Sequence, residues 1–247
     1  MRMNRGYIES GKCLDSVMNY PLIDALIRYF KYNDITKLAY IIKDIKREYP
    51  KDTINTLMNF TSTHDISRAI NIFSTYDFQE YGEWAWNLNN NDLNWCKNFK
   101  LTKEQYDHGK EIYKAYVFAL TFMPGILSIF YGDEIGIEGI GNLANRKTYP
   151  WGKEDIELLN YFKYIGSIRK QESFLQEAEL NLLDINQNYF MFERYTKEDR
   201  ALITISRTQE ETEFYVPKEY QNKTKVYTLN KSKQGYLSPY GAIAIKK

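Results

Sequence analysis

Cysteine is scarce in this chain: its 247 residues contain only Cys13 and Cys96. Two cysteines so far apart do not imply a disulfide framework, so a reduced, cytoplasmic setting is the default expectation. The sequence also lacks an apolar run long enough to span a bilayer, and no charged start with an apolar core opens it. These absences argue against a membrane partner and against a signal peptide.

An excess of charge of one sign is lacking as well. The chain carries 33 basic and 32 acidic residues, a net charge of +1, and no long basic run. No nucleic-acid partner and no anionic membrane surface is therefore expected. Aromatic residues, by contrast, are abundant at 16%, with 22 tyrosines. Such a surplus lines sugar- or base-binding clefts in some proteins and fills a tyrosine-rich core in others, and composition leaves both alternatives open.

Up to about residue 172 the chain alternates between strand and helix patterns. Apolar or β-branched runs predict strands at 14–21, 57–61 and 126–131, the last apolar enough to be buried on both faces of a parallel sheet. Helical spacing of apolar residues predicts helices at about 22–30, 35–49, 70–73, 102–123 and 154–171. The connections between the strands are long enough for helical crossovers, which favours parallel strands.

The pattern changes after Gln171. Six short alternating segments follow, separated by polar turns: 180–185, 189–195, 201–206, 212–216, 225–229 and 242–245. Closely spaced strands without helices predict a small antiparallel β-sandwich. The predicted domains are therefore 1–172, of α/β type, and 173–247, all β.

A polar, aromatic stretch from Ser74 to Lys100 interrupts the first domain and contains Trp84, Trp86 and Trp95. Its length predicts a surface excursion. The tryptophans could stack on a sugar ring or cover the rim of a core, and the sequence does not separate the two.

His64 and Asp65 lie where the second predicted strand gives way to a loop. In a parallel α/β barrel, side chains at this end of a strand converge on substrate. An imidazole beside a carboxylate could donate one hydrogen bond to a hydroxylated ligand and accept another. The alternative is structural, because Asp65 also suits the N-cap of a helix that begins at Ser67-Arg68-Ala69-Ile70.

Four motifs then resemble one family. LDSVMNYP at 14–21, NFTSTHDISR at 59–68, TFMPGILSIFYGDEIGIEG at 121–139 and NRKTYPWG at 145–152 occur in order. Together they resemble the C-terminal portion of an α-amylase-superfamily glycoside hydrolase of the neopullulanase and cyclomaltodextrinase branch. The resemblance implies the last three strands and the helices of a (β/α)8 TIM barrel, followed by the antiparallel β-sandwich.

The resemblance also implies roles for three residues. Asp65 matches the carboxylate that stabilises the transition state, His64 matches a substrate-binding histidine, and Arg146 falls in a loop that contacts the sugar next to the cleaved bond. That loop has Asn142-Leu143 where the family carries Asp-Pro, so an ion pair of Arg146 with a loop acid such as Glu138 is an equal alternative. Asp133 and Glu134 are interpreted as caps of the next turn. No cofactor and no metal is expected, since family calcium sites lie largely outside this stretch.

The resemblance implies a retaining hydrolase of α-1,4-linked glucans, with α-1,6 linkages as an alternative, acting on maltodextrin, cyclodextrin or pullulan. A retaining glycosidase needs a nucleophilic carboxylate and a carboxylic acid about 5–5.5 Å apart. No Asp or Glu of these 247 residues matches either motif. The chain alone is therefore expected to be inactive, and to be unstable, to form homo-oligomers through open sheet edges or to need an N-terminal portion. The competing hypothesis is a carbohydrate-binding or structural fragment without catalysis.

Overall fold

The computed structural model describes residues 15–74 and 93–247, which form two compact units. The first unit consists of residues up to 59, 115–127 and 168–247, and the second of 60–114 and 128–167. Of the residues named above, Cys13, Leu14, Trp84 and Trp86 lie outside the described part. The predicted domain boundary at 172 remains a prediction.

Three helices open the first unit: α1 Tyr20–Tyr32, α2 Ile35–Glu48 and α3 Lys51–Thr56. Pro21 lies in the first turn of α1, where its missing N–H needs no partner, and Asn33 ends the helix in the left-handed conformation. Asp34 caps α2, since its carboxylate accepts a hydrogen bond from the Lys37 N–H at 3.0 Å. Helices α1 and α2 follow the predicted spacing closely, whereas the short α3 was not predicted.

The strands predicted at 57–61 and 126–131 are short in the structure. Strand β1 spans Met58–Phe60 and pairs with β2, Ile126–Ser128. The N–H of Ile126 donates to the Leu57 carbonyl at 2.8 Å, and the N–H of Thr61 donates to the Ser128 carbonyl at 3.0 Å. Because these hydrogen bonds advance in the same direction along both segments, the strands run parallel, as expected.

In the described part of the segment predicted as a strand at 14–21, residues 15–21, the structure has a parallel bridge between Met18 and Met58 instead of a strand, before α1 begins. Two buried asparagines strengthen this corner of the unit. Asn19 donates its side-chain amide to Asn59 at 2.8 Å, and Asn59 donates to the Pro124 carbonyl at 2.7 Å. A side-chain amide thus satisfies a carbonyl just before β2, where the backbone ladder has not yet begun.

The apolar run at 126–131 predicted a strand that is buried on both faces, but β2 is not buried in this way. It ends at Ser128, and Ile126 and Ile129 are 53% and 42% exposed. Within the described residues its sheet has only two strands, β1 and β2, so part of its apolar surface has no covering layer. An apolar run indicates that burial of these residues is favourable, but whether they are buried depends on the elements that pack against them.

The second unit is mainly helical. Its helices are α4 Ala69–Phe73, α5 Leu93–Asn98, most of α6 Lys103–Phe122, α7 Gly141–Ala144 and most of α8 Ile156–Gln171. Phe73 stacks on Tyr113 with ring centroids 6.2 Å apart, and Tyr113 packs against Phe162 at 5.9 Å. These aromatic contacts join α4, α6 and α8, so much of the aromatic surplus is core material.

Part of the predicted surface excursion at 74–100 is a helix instead. In α5, Cys96 is buried in a small cluster with Ile140 and Ala144, and Trp95 and Phe99 pack against that cluster. Trp95 therefore covers a core, which is the structural alternative. Its apolar partners come from a loop some 45 residues later in the sequence, which local pattern does not reveal.

The C-terminal part of the first unit contains two antiparallel sheets. The larger has the order β3-β4-β5-β9-β7, and the smaller pairs β6 with β8. The strands are β3 Glu179–Ile185, β4 Tyr189–Tyr195, β5 Arg200–Ser206, β6 Thr212–Glu213, β7 Lys225–Leu229, β8 Tyr236–Leu237 and β9 Ala242–Lys246. Both sheets contribute to one apolar cluster, which includes Leu202, Phe214, Leu237 and Ile243. The alternating pattern thus predicted the antiparallel sheet and most strand bounds correctly.

No helix within 15–74 and 93–247 is long and apolar enough to cross a membrane.

Candidate active site

The loop after β1, which holds His64 and Asp65, and the segment after α7, which holds Arg146, bring the three predicted site residues together. His64 Nε2 lies 3.2 Å from Asp65 Oδ1, and Arg146 Nη2 lies 3.6 Å from the same oxygen. Arg146 Nε also donates a hydrogen bond to the His64 carbonyl at 3.2 Å. The side chains of His64, Asp65 and Arg146 are 57%, 56% and 46% exposed, so all three are open to solvent and to a ligand.

One structural alternative for these residues does not match the structure, whereas the other, an ion pair of Arg146 with a loop acid, is present with Asp65 in place of Glu138. Helix α4 begins at Ala69 with Arg68 at its N-cap position and without a side-chain capping hydrogen bond, so Asp65 is not its cap. Arg146 pairs with Asp65, while Glu138 accepts a hydrogen bond from the Leu101 N–H at 2.8 Å. Charged groups grouped in the open at the end of a strand can bind hydroxyls of a sugar by charge-assisted hydrogen bonds.

Behind this exposed trio lies Arg68, whose side chain is fully buried. It forms an ion pair with Asp133, with Nη1 and Oδ1 3.1 Å apart and both side chains at most 1% exposed. Its guanidinium also lies 4.1 Å from the centre of the Phe130 ring and 4.7 Å from that of Tyr131. The aromatic faces favour a cation at this position, and the carboxylate neutralises its charge.

The sequence led to the interpretation of Asp133 as the cap of a turn, but its carboxylate does not cap one. Its second carboxylate oxygen accepts hydrogen bonds from Thr61 Oγ1 at 2.7 Å and Ser62 Oγ at 2.6 Å, both just after β1. Burial raises the pKa of the Asp133 carboxyl, while the charge of Arg68 and the two hydroxyl donors act in the opposite direction. Glu134, by contrast, accepts a hydrogen bond from the Gly132 N–H at 2.7 Å, in keeping with the capping interpretation.

Asn145 links the loops further. Its side-chain amide donates to the Thr63 carbonyl at 3.0 Å and to the Ile66 carbonyl, which flank His64 and Asp65. The backbone carbonyl of Asn145 accepts a hydrogen bond from Arg68 Nε at 2.9 Å. Asn145 also directly precedes Arg146 in the chain. Asn145 therefore contacts the backbone on both sides of the His64-Asp65 pair, and its position fixes that of the Arg146 backbone.

Sequence reasoning did not assign a role to Arg68 or Asn145, and it assigned Asp133 only a capping role. The available signal was their position: each lies in a quoted motif, within three residues of a candidate site residue or of the end of the third predicted strand. A charged residue beside an apolar run is usually solvent-exposed, so its burial was not predictable from the sequence.

Exposed aromatic side chains accompany the site residues in the second unit. Tyr131 is 44% exposed and donates its hydroxyl to the Lys147 carbonyl at 2.8 Å. Trp151 is 81% exposed and packs against Tyr149 at 4.4 Å between ring centroids. Rings that present a face to solvent can stack on sugar rings. Among the described residues, no three His, Cys, Asp or Glu side chains converge as metal ligands would.

The first unit contains a cavity of about 310 Å³ between α2, α3 and β3. Its lining is mainly apolar and includes Ile42, Ile45, Leu57, Leu180 and Leu182, and none of the predicted site residues lines it. A cavity of this size is at the lower end of the range for small-molecule sites, but it offers no pair of groups suited to glycoside chemistry.

Comparisons with known proteins give no matching family model. An amylopullulanase from Thermoanaerobacter thermohydrosulfuricus is 29% identical over 196 residues, which cover 74% of this chain and 12% of that protein. A cyclomaltodextrinase from Geobacillus thermopakistaniensis is 27% identical over 225 residues, which cover 89% of this chain and 33% of that protein. The chain thus spans a third or less of the length of these curated relatives.

Among solved structures, a debranching enzyme from Nostoc punctiforme has a TM-score of 0.73 and 18% identity, covering 99% of this chain and 50% of that one. This likeness shows that the chain shares the fold of about half of that enzyme. The resemblance based on the four motifs is confirmed: the chain is similar to glycoside hydrolases of the α-amylase superfamily.

Proposed function

We propose that this relative of α-amylase-superfamily glycoside hydrolases supplies part of the active site of a retaining α-glucan hydrolase. In the proposal, Asp65 stabilises the positive charge that develops on the sugar at the cleaved bond, and His64 and Arg146 bind its hydroxyls. The substrates are α-1,4-linked glucans such as maltodextrin or cyclodextrin, with the α-1,6 bonds of pullulan as an alternative. A cytoplasmic setting is part of the proposal and is supported by the scarcity of cysteine.

The observation that carries the proposal is the convergence of His64, Asp65 and Arg146. They lie after β1 and after β2, within 3.6 Å of one another, and roughly half of each side chain is accessible. A carboxylate that must interact with an oxocarbenium-like sugar needs both access and a fixed direction. Hydrogen-bonding groups on either side of it would bind the same sugar ring.

The proposal also includes a limit on chemistry. Bond cleavage with retention needs a nucleophile and a proton donor in addition to a stabilising carboxylate. Asp65 cannot perform all three tasks, and no other carboxylate of the 247 residues matches the family motifs for the two missing roles. We therefore expect the 247-residue polypeptide to release no reducing ends from maltodextrin or cyclodextrin above background. Clear turnover by this polypeptide would overturn the argument.

A second candidate function is carbohydrate binding without catalysis. The exposed rings of Tyr131 and Trp151 favour it, because aromatic platforms are sufficient to hold a sugar. The two functions differ in what Asp65 does. A stabilising carboxylate favours a cationic mimic of the transition state over a neutral sugar, whereas a binding module has no reason to distinguish the two.

Calorimetry with the 247-residue chain tests this difference. Acarbose, whose linking nitrogen is protonated, is compared with neutral maltotetraose for the unmodified chain and for Asp65→Asn. The substitution should weaken acarbose binding by about tenfold, since a hydrogen bond to a charged group contributes about 1.5 kcal/mol or more. Maltotetraose binding should change by no more than about twofold.

Asp107→Asn is the matched control, because Asp107 is 48% exposed and ion-paired with Lys103 in the same unit. It should leave both affinities unchanged. Equal losses for acarbose and maltotetraose in Asp65→Asn would favour the binding module. Absence of any acarbose binding to the unmodified chain would overturn the proposed function.

A further inference from the structure

We propose that Arg68, Asp133 and Asn145 are positioning residues that set the distance and direction between Asp65 and Arg146. The proposal rests on the proposed function only for its consequence in sugar binding. Its structural part, that these buried groups determine the geometry of the exposed loop, stands on the contacts alone.

The exposed trio cannot fix its own geometry. The pair between Arg146 and Asp65 spans 3.6 Å between half-exposed side chains, and such a pair contributes about 0–1 kcal/mol. The same holds for the 3.2 Å contact between His64 and Asp65. Thermal motion would therefore separate these groups readily unless their backbones were held from behind.

The buried groups hold both backbones. Asp133 accepts hydrogen bonds from the side chains of Thr61 and Ser62, which precede the His-Asp pair. The Arg68 N–H donates to the Gly139 carbonyl at 2.8 Å, and Arg68 Nε donates to the Asn145 carbonyl at 2.9 Å. The end of β1 and the loop after β2 are thus joined through one guanidinium and one carboxylate.

Asn145 joins the same two segments a second time. Its amide contacts the carbonyls of Thr63 and Ile66, the residues on either side of His64-Asp65. Because Arg146 follows directly, any shift of the Asn145 backbone moves the guanidinium that faces Asp65. Two sets of hydrogen bonds, which meet at Asn145, therefore determine the placement of Arg146 relative to Asp65.

Net stability alone does not account for this arrangement. A buried ion pair often contributes no more than apolar residues of the same volume would. The contacts of Arg68, Asp133 and Asn145 to both loop backbones are therefore better explained by the geometry that they impose than by the stability that they add.

The test uses a spectroscopic signal of the loop itself. The chain has only two histidines, His64 and His108, so His64→Gln assigns their imidazole resonances in NMR spectra of the 247-residue polypeptide. Asp133→Asn keeps the shape of the side chain and removes the charge that pairs with Arg68. We expect this substitution to shift the His64 resonances and to weaken acarbose binding by about tenfold, equivalent to about 1.4 kcal/mol.

Glu172→Gln is the matched control, since Glu172 is also a buried carboxylate, 4% exposed and ion-paired with Lys246 in the first unit. It should lower the unfolding midpoint without moving the His64 resonances or the acarbose affinity. A purely structural role of Asp133 predicts the same behaviour for both variants. A folded Asp133→Asn chain with an unchanged His64 spectrum would overturn the proposal.

Asn145→Ala decides the matter if Asp133→Asn does not fold. It removes the amide contacts to Thr63 and Ile66 but leaves the buried charges in place, so the chain should remain folded. The His64 resonances should again shift, and an unchanged spectrum would overturn the proposal. If the unmodified chain binds no acarbose, the proposed function fails, while the His64 spectra still test the positioning role.

Discussion

Arg194 is the buried charge whose removal should affect stability most in the C-terminal sheet. Its side chain is fully buried on β4, and its guanidinium donates to four backbone carbonyls. These belong to Leu175 at 2.8 Å, Ala178 at 2.7 Å, Glu179 at 3.3 Å and Phe122 at the end of α6. Within the described residues no carboxylate pairs with it. The guanidinium thus takes the place of backbone donors where a helix ends and the sheet begins.

The expected cost follows from these contacts. Burial, with a smaller effect from the charge of Arg169, lowers the pKa of Arg194 to about 9, so the group is still protonated at neutral pH. Hydrogen bonds to a charged donor contribute about 1.5–3 kcal/mol each, and the shorter ones, to Leu175 and Ala178, should contribute most. Removal also relieves the cost of burying an unpaired cation, which is several kcal/mol. We therefore expect Arg194→Met to lower the free energy of unfolding by about 3 kcal/mol.

Urea unfolding followed by circular dichroism measures this difference. Arg200→Met, on the neighbouring strand β5, is the control, because Arg200 is 45% exposed and lies 3.7 Å from Glu193. Its loss should cost less than about 1 kcal/mol. If Arg194→Met unfolds at the same urea concentration as Arg200→Met, the carbonyl contacts do not stabilise the sheet and the reasoning is refuted.

Two further predictions concern stability. Gly125 has a φ of +110°, and an added Cβ would lie 2.4 Å from the Leu57 carbonyl oxygen, so Gly125→Ala should lower the Tm. Gly166→Ala, inside α8 with no atom within 4 Å of the added Cβ, should raise the Tm instead; the same sign for both would contradict the argument. Burial acts to raise the pKa of Glu172, but hydrogen bonds, led by that from Lys246, outweigh it and hold the pKa below its usual value. Acid therefore protonates the unfolded chain first, so stability should fall as pH decreases below about 4.5, and Glu172→Gln should flatten this dependence in urea titrations.

Much of the fold followed from local signals. The helical spacing that predicts α1, α2, α6 and α8 reflects one apolar face per helix, which packing then buries. Short apolar runs between polar turns likewise predicted β4 and β5, although both strands are buried on both faces: Phe190, Met191 and Phe192 are all buried, as is every residue of 201–206. Such patterns depend only on neighbours along the chain and are therefore visible in the sequence.

The errors share a different origin. The run at 126–131 was expected to be buried on both faces, yet Ile126 is 53% exposed, because burial requires covering layers and not only apolar residues. The stretch around Trp95 was expected to be a surface loop, yet it forms a helix whose apolar partners are Ile140 and Ala144. Long-range contacts decided both outcomes, and local pattern contains no information about them.

The candidate site shows the same difference between residues that the local sequence indicates and residues that long-range contacts determine. His64, Asp65 and Arg146 were predicted from the motifs, and the structure brings them together in the open after two strands, while their contact with a sugar remains a proposal. Arg68 and Asp133 were not predicted, because a buried charge is recognisable only by its partner, 65 residues away in the chain. A weak surface pair cannot hold its own geometry, so in the proposal the exposed residues depend on buried ones that do not contact the ligand. If that dependence holds, substitutions behind the loop should affect ligand binding as strongly as substitutions within it.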